Sequence, residues 1–131
     1  MVHKEARKLG TSAVNVSARD LAVYTIRITA NEKVFLPEYK TPLTNEITRL
    51  AISIHTLCWS ARNLGGNDPE ACTKRTGLLD DAILACNNLL SLIDIAKPLY
   101  HLDTSRVKYW ASKTIETRTL IILWRDSGAK R

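Results

Sequence analysis

Residues 43–63, LTNEITRLAISIHTLCWSARN, constrain the fold more than any other stretch of the chain. Ile47, Leu50, Ala51, Ile54, Cys58 and Ala61 recur at steps of three and four, which puts them on one stripe of an α-helix and on no single face of a strand. An apolar stripe of this kind has to be covered, so the other amphipathic segments must supply its partners. The boundaries are marked as well. Thr44 is the expected N-cap, Glu46 lies in the first turn, and Gly65 and Gly66 supply the stop.

The rest of the chain offers three such segments. Ser17 is an expected N-cap with Asp20 three residues on, and Leu21, Tyr24, Ile28 and Phe35 form a face widened by Val23, Ile26 and Val34 until Pro37. Residues 36–44, LPEYKTPLT, hold two prolines and no helical stripe, which predicts a loop. Asp68 before Pro69 restarts a helix whose stripe is Thr76, Leu79, Ile83, Cys86, Leu90, Ile93, Ala96 and Tyr100, flanked by Leu89 and Leu99. Pro98 predicts a kink or an early finish near Lys97. Asp103, Thr104 and Ser105 offer caps for a fourth helix carrying Val107, Trp110, Ala111, Ile115, Ile121, Ile122 and Trp124. Thr114 and Thr117 narrow its apolar stripe, and Gly128 stops it. The run LIIL at residues 120–123 is strand-like only in isolation. The expected fold is all-α, an antiparallel up-down-up-down four-helix bundle over residues 17–127. A flexible or frayed basic arm, residues 1–16, precedes it and a basic tail, residues 128–131, follows.

A length of 131 residues suits a single core, and 45% hydrophobic with 24% charged residues is a globular composition. No apolar run reaches the roughly 20 residues a membrane span needs. No secretory h-region opens the chain, so a cytoplasmic protein without membrane partners is expected. The three cysteines, Cys58, Cys72 and Cys86, are odd in number and form no CxxC pair, which argues against a disulfide framework.

The net charge of +6 is concentrated at the two ends of the chain. Residues 1–19 carry +3 and residues 104–131 carry +5, while the middle carries −2. Arg106, Lys108, Lys113, Arg118, Arg125, Lys130 and Arg131 are read as a basic edge along the fourth helix and its tail. Cations on a rigid helix neutralise phosphates irrespective of base sequence, which suits structured RNA or a hybrid duplex.

Enzyme signatures are sparse. The sequence has no Gly-rich phosphate loop, no GxSxG and no HExxH, and no cofactor is expected. His55 and Cys58 lack a second ligand pair at metal spacing. Arg49 and His55 have the R-x5-H spacing of small helical ribonucleases of the HEPN class, but six residues along one helix turn the two side chains by about 240°. The second helix also has a second stripe, Ile52, His55, Trp59 and Arg62, outside its core face. An aromatic, an aliphatic and an arginine there resemble the residues that dominate protein interfaces, so self-association is expected.

The segment NEKVFLPEYKTPLTNEITRLAISIHTLCWSARN resembles the four-helix family of rRNA intervening-sequence proteins and the accessory variability determinant (Avd) of diversity-generating retroelements. The resemblance rests on F-x-P-x-Y at Phe35, Pro37 and Tyr39, then L-T-x-E-I, then A-x-x-I-H-x-x-x-W-x-A-x-N, with Tyr109–Trp110 and a terminal WRDSGAKR. It extends over roughly residues 20–127, and Arg62 stands where the family pattern has asparagine. The resemblance implies a non-catalytic, cytoplasmic homo-oligomer, a pentamer, that binds a reverse transcriptase and its template RNA or RNA–DNA duplex and supports mutagenic cDNA synthesis. A self-assembling helical scaffold and a HEPN-like ribonuclease are the alternative expectations.

Overall fold

A computed structural model describes the backbone of residues 2–128 and the side chains of residues 11–128. The chain forms four helices, α1 (Val2–Thr29), α2 (Asn45–Asn63), α3 (Pro69–Leu99) and α4 (Thr104–Asp126), with no strand among the described residues. Each helix packs on its sequence neighbours, and α4 closes the ring by packing on α1. None of the described helices is long and apolar enough to cross a membrane.

The buried residues of α2 are Ile47, Leu50, Ala51, Ile54, Cys58 and Ala61, the whole of the stripe expected from the sequence. Its N-terminus differs from expectation. Lys40–Thr44 forms a π-type turn that runs into the helix, so Thr44 already has helical backbone angles and its side chain makes no cap bond. Thr44 Oγ1 instead bonds the Tyr100 hydroxyl at the end of α3, 2.8 Å away, and ties the two helix ends together.

Two boundaries of α1 also depart from expectation. The helix does not begin at Ser17 but runs unbroken from Val2, through the region expected to be a flexible arm. Thr11, Val14, Asn15 and Ala18 are buried, so packing against the bundle overrides the weak helix preference of a Gly-, Thr- and Ser-containing stretch. At the other end α1 stops at Thr29 rather than at Pro37. The amides of Val34 and Phe35 turn back to the Asn31 carbonyl, and the Asn31 side chain accepts from the Lys33 amide. Phe35 is buried all the same, because this turn folds over the bundle end and sets its ring 4.8 Å from Tyr100 and 6.1 Å from Trp110.

The α2–α3 connection is held by two side chains. Asp68 caps α3 as expected, accepting from the Ala71 amide at 2.8 Å. Arg75, fully buried, reaches back from the first turns of α3 to the Leu64 and Gly66 carbonyls and so closes the C-terminal end of α2. Pro98 does not end α3 at Lys97. The helix continues to Leu99 and stops where His101 takes a positive φ of 53° and the Leu102 amide bonds the Lys97 carbonyl.

Between α1 and α4 the core is partly polar. Thr114 and Thr117 occupy the centre of the buried face of α4, while Ile115, expected on it, is exposed. The threonine hydroxyls donate to the Trp110 and Lys113 carbonyls of their own helix, which removes most of the cost of burying them. Ser17 meets Thr117 across the interface at 2.7 Å, and Trp110 Nε1 donates to Thr25 Oγ1 at 3.0 Å.

Cys58 of α2 and Cys86 of α3 are both buried in the core. Burial, reinforced by the neighbouring Cys86, pushes the Cys58 thiol up to about 12, and burial takes Cys86 to about 12 against the opposing pull of Arg118. In the unfolded chain both would ionise near 9.0, so the unfolded state loses these protons first as pH rises. Stability is therefore expected to be intact below pH 9 and to fall between about 9 and 12, at up to about 1.4 kcal/mol per pH unit for each thiol. Urea midpoints taken across this range should decline less steeply in a Cys58→Ala, Cys86→Ala variant. Iodoacetamide at pH 8 should label the half-buried Cys72 first, and equally rapid labelling of all three thiols would contradict this account.

Candidate oligomer and nucleic-acid interfaces

With the core face of α2 fully covered, the flank carrying Ile52, His55, Trp59 and Arg62 is left outside. These four residues lie within about 80° of arc on the helix. Ile52 is 45% exposed and Trp59 is 54% exposed. The His55 and Trp59 rings lie 5.8 Å apart at 35°, a tilted contact that stiffens the patch. Asn63, one turn on, donates to the Trp59 carbonyl at 2.9 Å. The flank is thus a broad, ordered surface of mixed aromatic and aliphatic character, with Arg62 exposed at one margin.

Arg49 lies on a different side of α2. Its guanidinium pairs with Glu46 one turn earlier, and the pair is exposed. The Glu46 carboxyl is held below its usual range by that hydrogen bond. Within one chain the R-x5-H residues are therefore not brought together. Cys58 points into the core while His55 sits on the outer flank, and no group of three or more His, Cys, Asp or Glu suited to a metal ion occurs among the described residues.

The expected basic edge of α4 does not exist as one edge. At about 100° per residue, positions 106, 108, 113, 118 and 125 cannot share a side, and the contacts divide them. Arg118 donates to Asn87 Oδ1 at 2.6 Å and Arg125 to Asp80 Oδ1 at 3.1 Å, so both lie on the α3 flank. Arg125 is also paired with Asp126, which neutralises most of its charge locally. Arg106 and Lys113 lie on the α1 flank, Arg106 close enough to Tyr24 to act on its phenol and Lys113 over the Tyr109 ring. Lys108 is exposed on the outer surface. Lys130 and Arg131 fall outside the described residues.

Two features of the site were not anticipated from the sequence. Arg75 was legible in principle, because Ala71, Arg75, Leu79, Ala82, Cys86, Leu89, Ile93 and Ala96 follow three- and four-residue steps and all are buried. The pairing of Tyr24 with Tyr109 across α1 and α4 has no local signal, since it depends on how two helices separated by most of the chain are rotated. Comparison with known proteins gives no match to this chain: no family model, no curated protein and no solved structure.

Proposed function

We propose that this chain is a non-catalytic accessory subunit of the Avd type, an antiparallel up-down-up-down four-helix bundle that assembles with copies of itself in the cytoplasm. In this role it docks on the reverse transcriptase of a diversity-generating retroelement and holds template RNA or an RNA–DNA duplex, while polymerisation belongs to the partner. The observation that carries the proposal is the outer flank of α2. Ile52, His55, Trp59 and Arg62 remain outside a core that does not need them, and an exposed Trp beside an exposed Ile is the composition of an interface centre. The motifs that resemble the family run through the same helix, and the pentameric state and the polymerase partner come from that resemblance. The net charge of +6 supports a polyanionic ligand, since copies arranged in a ring would add their fields.

Co-purification with a reverse transcriptase of a diversity-generating retroelement, together with template-RNA binding measured over a salt series, tests the proposal. Loss of both interactions would overturn it. The assembly step has its own test. Trp59→Ser is expected to keep the helical circular-dichroism spectrum of the subunit, because the side chain is exposed within one chain, and to shift light-scattering mass toward the 14.7 kDa monomer. A wild-type chain that already runs as a monomer at micromolar concentration would remove the assembly step. A scaffold without a nucleic-acid role is the second reading. It is favoured by the engagement of Arg118 and Arg125 with Asn87, Asp80 and Asp126, and it predicts an oligomer without salt-dependent RNA binding.

A further inference from the structure

Two tyrosines and three cations, Arg27, Arg106 and Lys113, meet on the face shared by α1 and α4, and Lys108 lies beyond it on the outer surface of α4. Tyr109 is 54% exposed, and its ring packs against Tyr24 at 5.0 Å between centroids and 65° between planes. Lys113 Nζ lies 5.5 Å from the Tyr109 centroid. Arg106 flanks Tyr24, and Arg27 follows Tyr24 by three residues on the same side of α1. Residues 21–31 and 104–115 contain Arg27, Arg106, Lys108 and Lys113 and no acid. None of these four cations forms an ion pair among the described residues, whereas Arg125 of the same helix is paired twice. The patch also has a limit. Asp20 and Glu116 join Lys113 along the groove that continues between α1 and α4, so the cationic surface ends there.

An exposed aromatic ring set between unpaired cations meets the two needs of a single strand, a π-face for an unstacked base and positive charge for the phosphates beside it. Arg106 and Lys113 are separated by roughly 10 Å along α4, with Tyr109 between them. A duplex keeps its bases stacked inside and would gain charge neutralisation but no contact from the ring. We propose that this face binds single-stranded RNA, with an unpaired base stacked on Tyr109 and the adjoining phosphates neutralised by Arg106 and Lys113, Arg27 lying at the margin. The proposal rests on the nucleic-acid part of the function above and narrows it from α4 as a whole to its α1 flank. In the free protein the Lys113 ammonium occupies the ring. On binding it moves to a phosphate and the base takes its place.

The test is fluorescence anisotropy of the full chain with a labelled short oligouridine and with an RNA duplex of equal length, each over a salt series. Tyr109→Leu keeps an apolar contact for Tyr24 and is expected to weaken oligouridine binding about tenfold or more, leaving duplex binding unchanged. Tyr109→Phe retains wild-type affinity for both. The Arg106→Gln, Lys113→Gln pair lowers the logarithmic salt slope for oligouridine by about 1.4. Circular dichroism checks that each variant keeps its helices. If wild-type binds oligouridine and Tyr109→Leu binds it equally well, the stacking site is overturned while the broader nucleic-acid role stands. Equal losses on oligouridine and duplex likewise overturn it. Wild-type protein that binds neither RNA removes the broader role, and this site with it.

Discussion

Replacement of Arg75 by alanine is expected to destabilise the fold by about 3 kcal/mol, a substantial part of the total stability of a domain this size. The side chain is fully buried and its guanidinium donates to the Leu64 and Gly66 carbonyls. Truncation removes these charge-assisted bonds and leaves a cavity where the aliphatic stem passes between helices. The effect has a direction that is not obvious in advance, because a buried cation is itself costly and an apolar replacement can be neutral when the pair it belonged to is removed cleanly. Here the acceptors are backbone carbonyls, which no side-chain substitution removes, so loss of the donor leaves them to be satisfied by water or by rearrangement of the loop. Arg75→Lys should recover only part of the loss, since both carbonyls accept from Nη2 at the far end of the guanidinium, and the shorter lysine side chain stops short of that position. Urea unfolding of the three proteins checks this, with exposed Lys97→Ala as a control expected to stay within about 0.5 kcal/mol of wild type. An Arg75→Ala midpoint equal to that of the control would show that the connection holds itself.

That connection matters beyond stability, because it fixes the C-terminal turns of α2 from which Trp59 and Arg62 project. The core face of α2 was fully legible in the sequence since every signal agreed: a regular three-and-four spacing, small residues where helices approach, and glycines at the stop. The ends of α1 were not. Gly10, Thr11 and Ser12 read locally as a breaker, yet the burial of Thr11, Val14 and Asn15 against the bundle outweighs a propensity cost of about 1 kcal/mol or less per residue. Phe35 was read correctly as buried and wrongly as helical. Its apolar contact with Tyr100 and Trp110 is supplied by a turn built on Asn31, a residue whose side chain competes with helical hydrogen bonding.

On α4 the difficulty was chemical. Ranking by hydrophobicity places Ile115 inside and treats Thr114 and Thr117 as intrusions, but both threonines satisfy their hydroxyls on their own helix and are small enough to let α1 approach. The helix is consequently rotated from the orientation that hydrophobicity alone would choose. The same rotation divides the basic residues between two flanks, so an edge inferred from residue type along the sequence became two surfaces with different electrostatics. On one, Arg125 is neutralised by Asp80 and Asp126 and Arg118 is held by the Asn87 amide. The other is open and lies beside Tyr109.

Trp110 anchors the same interface, and its truncation to alanine is expected to cost about 3–5 kcal/mol. It heads the fully buried side chains in volume among the described residues, packs edge-on against Phe35, and bonds Thr25 across the α1–α4 interface. Trp110→Phe should be much milder, about 1–2 kcal/mol, because most of the apolar volume survives and one hydrogen bond is lost. Thr25→Val removes the acceptor and leaves the buried indole N–H unsatisfied, so the two single substitutions should together cost more than the double variant, with a coupling of about 1 kcal/mol. Strict additivity would mean that the 3.0 Å bond contributes nothing beyond packing. The consequence reaches the neighbouring surface, for Tyr109 adjoins Trp110 and each residue of α4 is offset from the next by about 100°. Provided that the single-strand site exists as proposed, Trp110→Phe should retain oligouridine binding because α4 keeps its orientation. Trp110→Ala, measured at a temperature where it remains folded, should lose it as the helix turns to fill the void. Retained binding in the alanine variant would show that the orientation of α4 is fixed instead by the threonine contacts with α1.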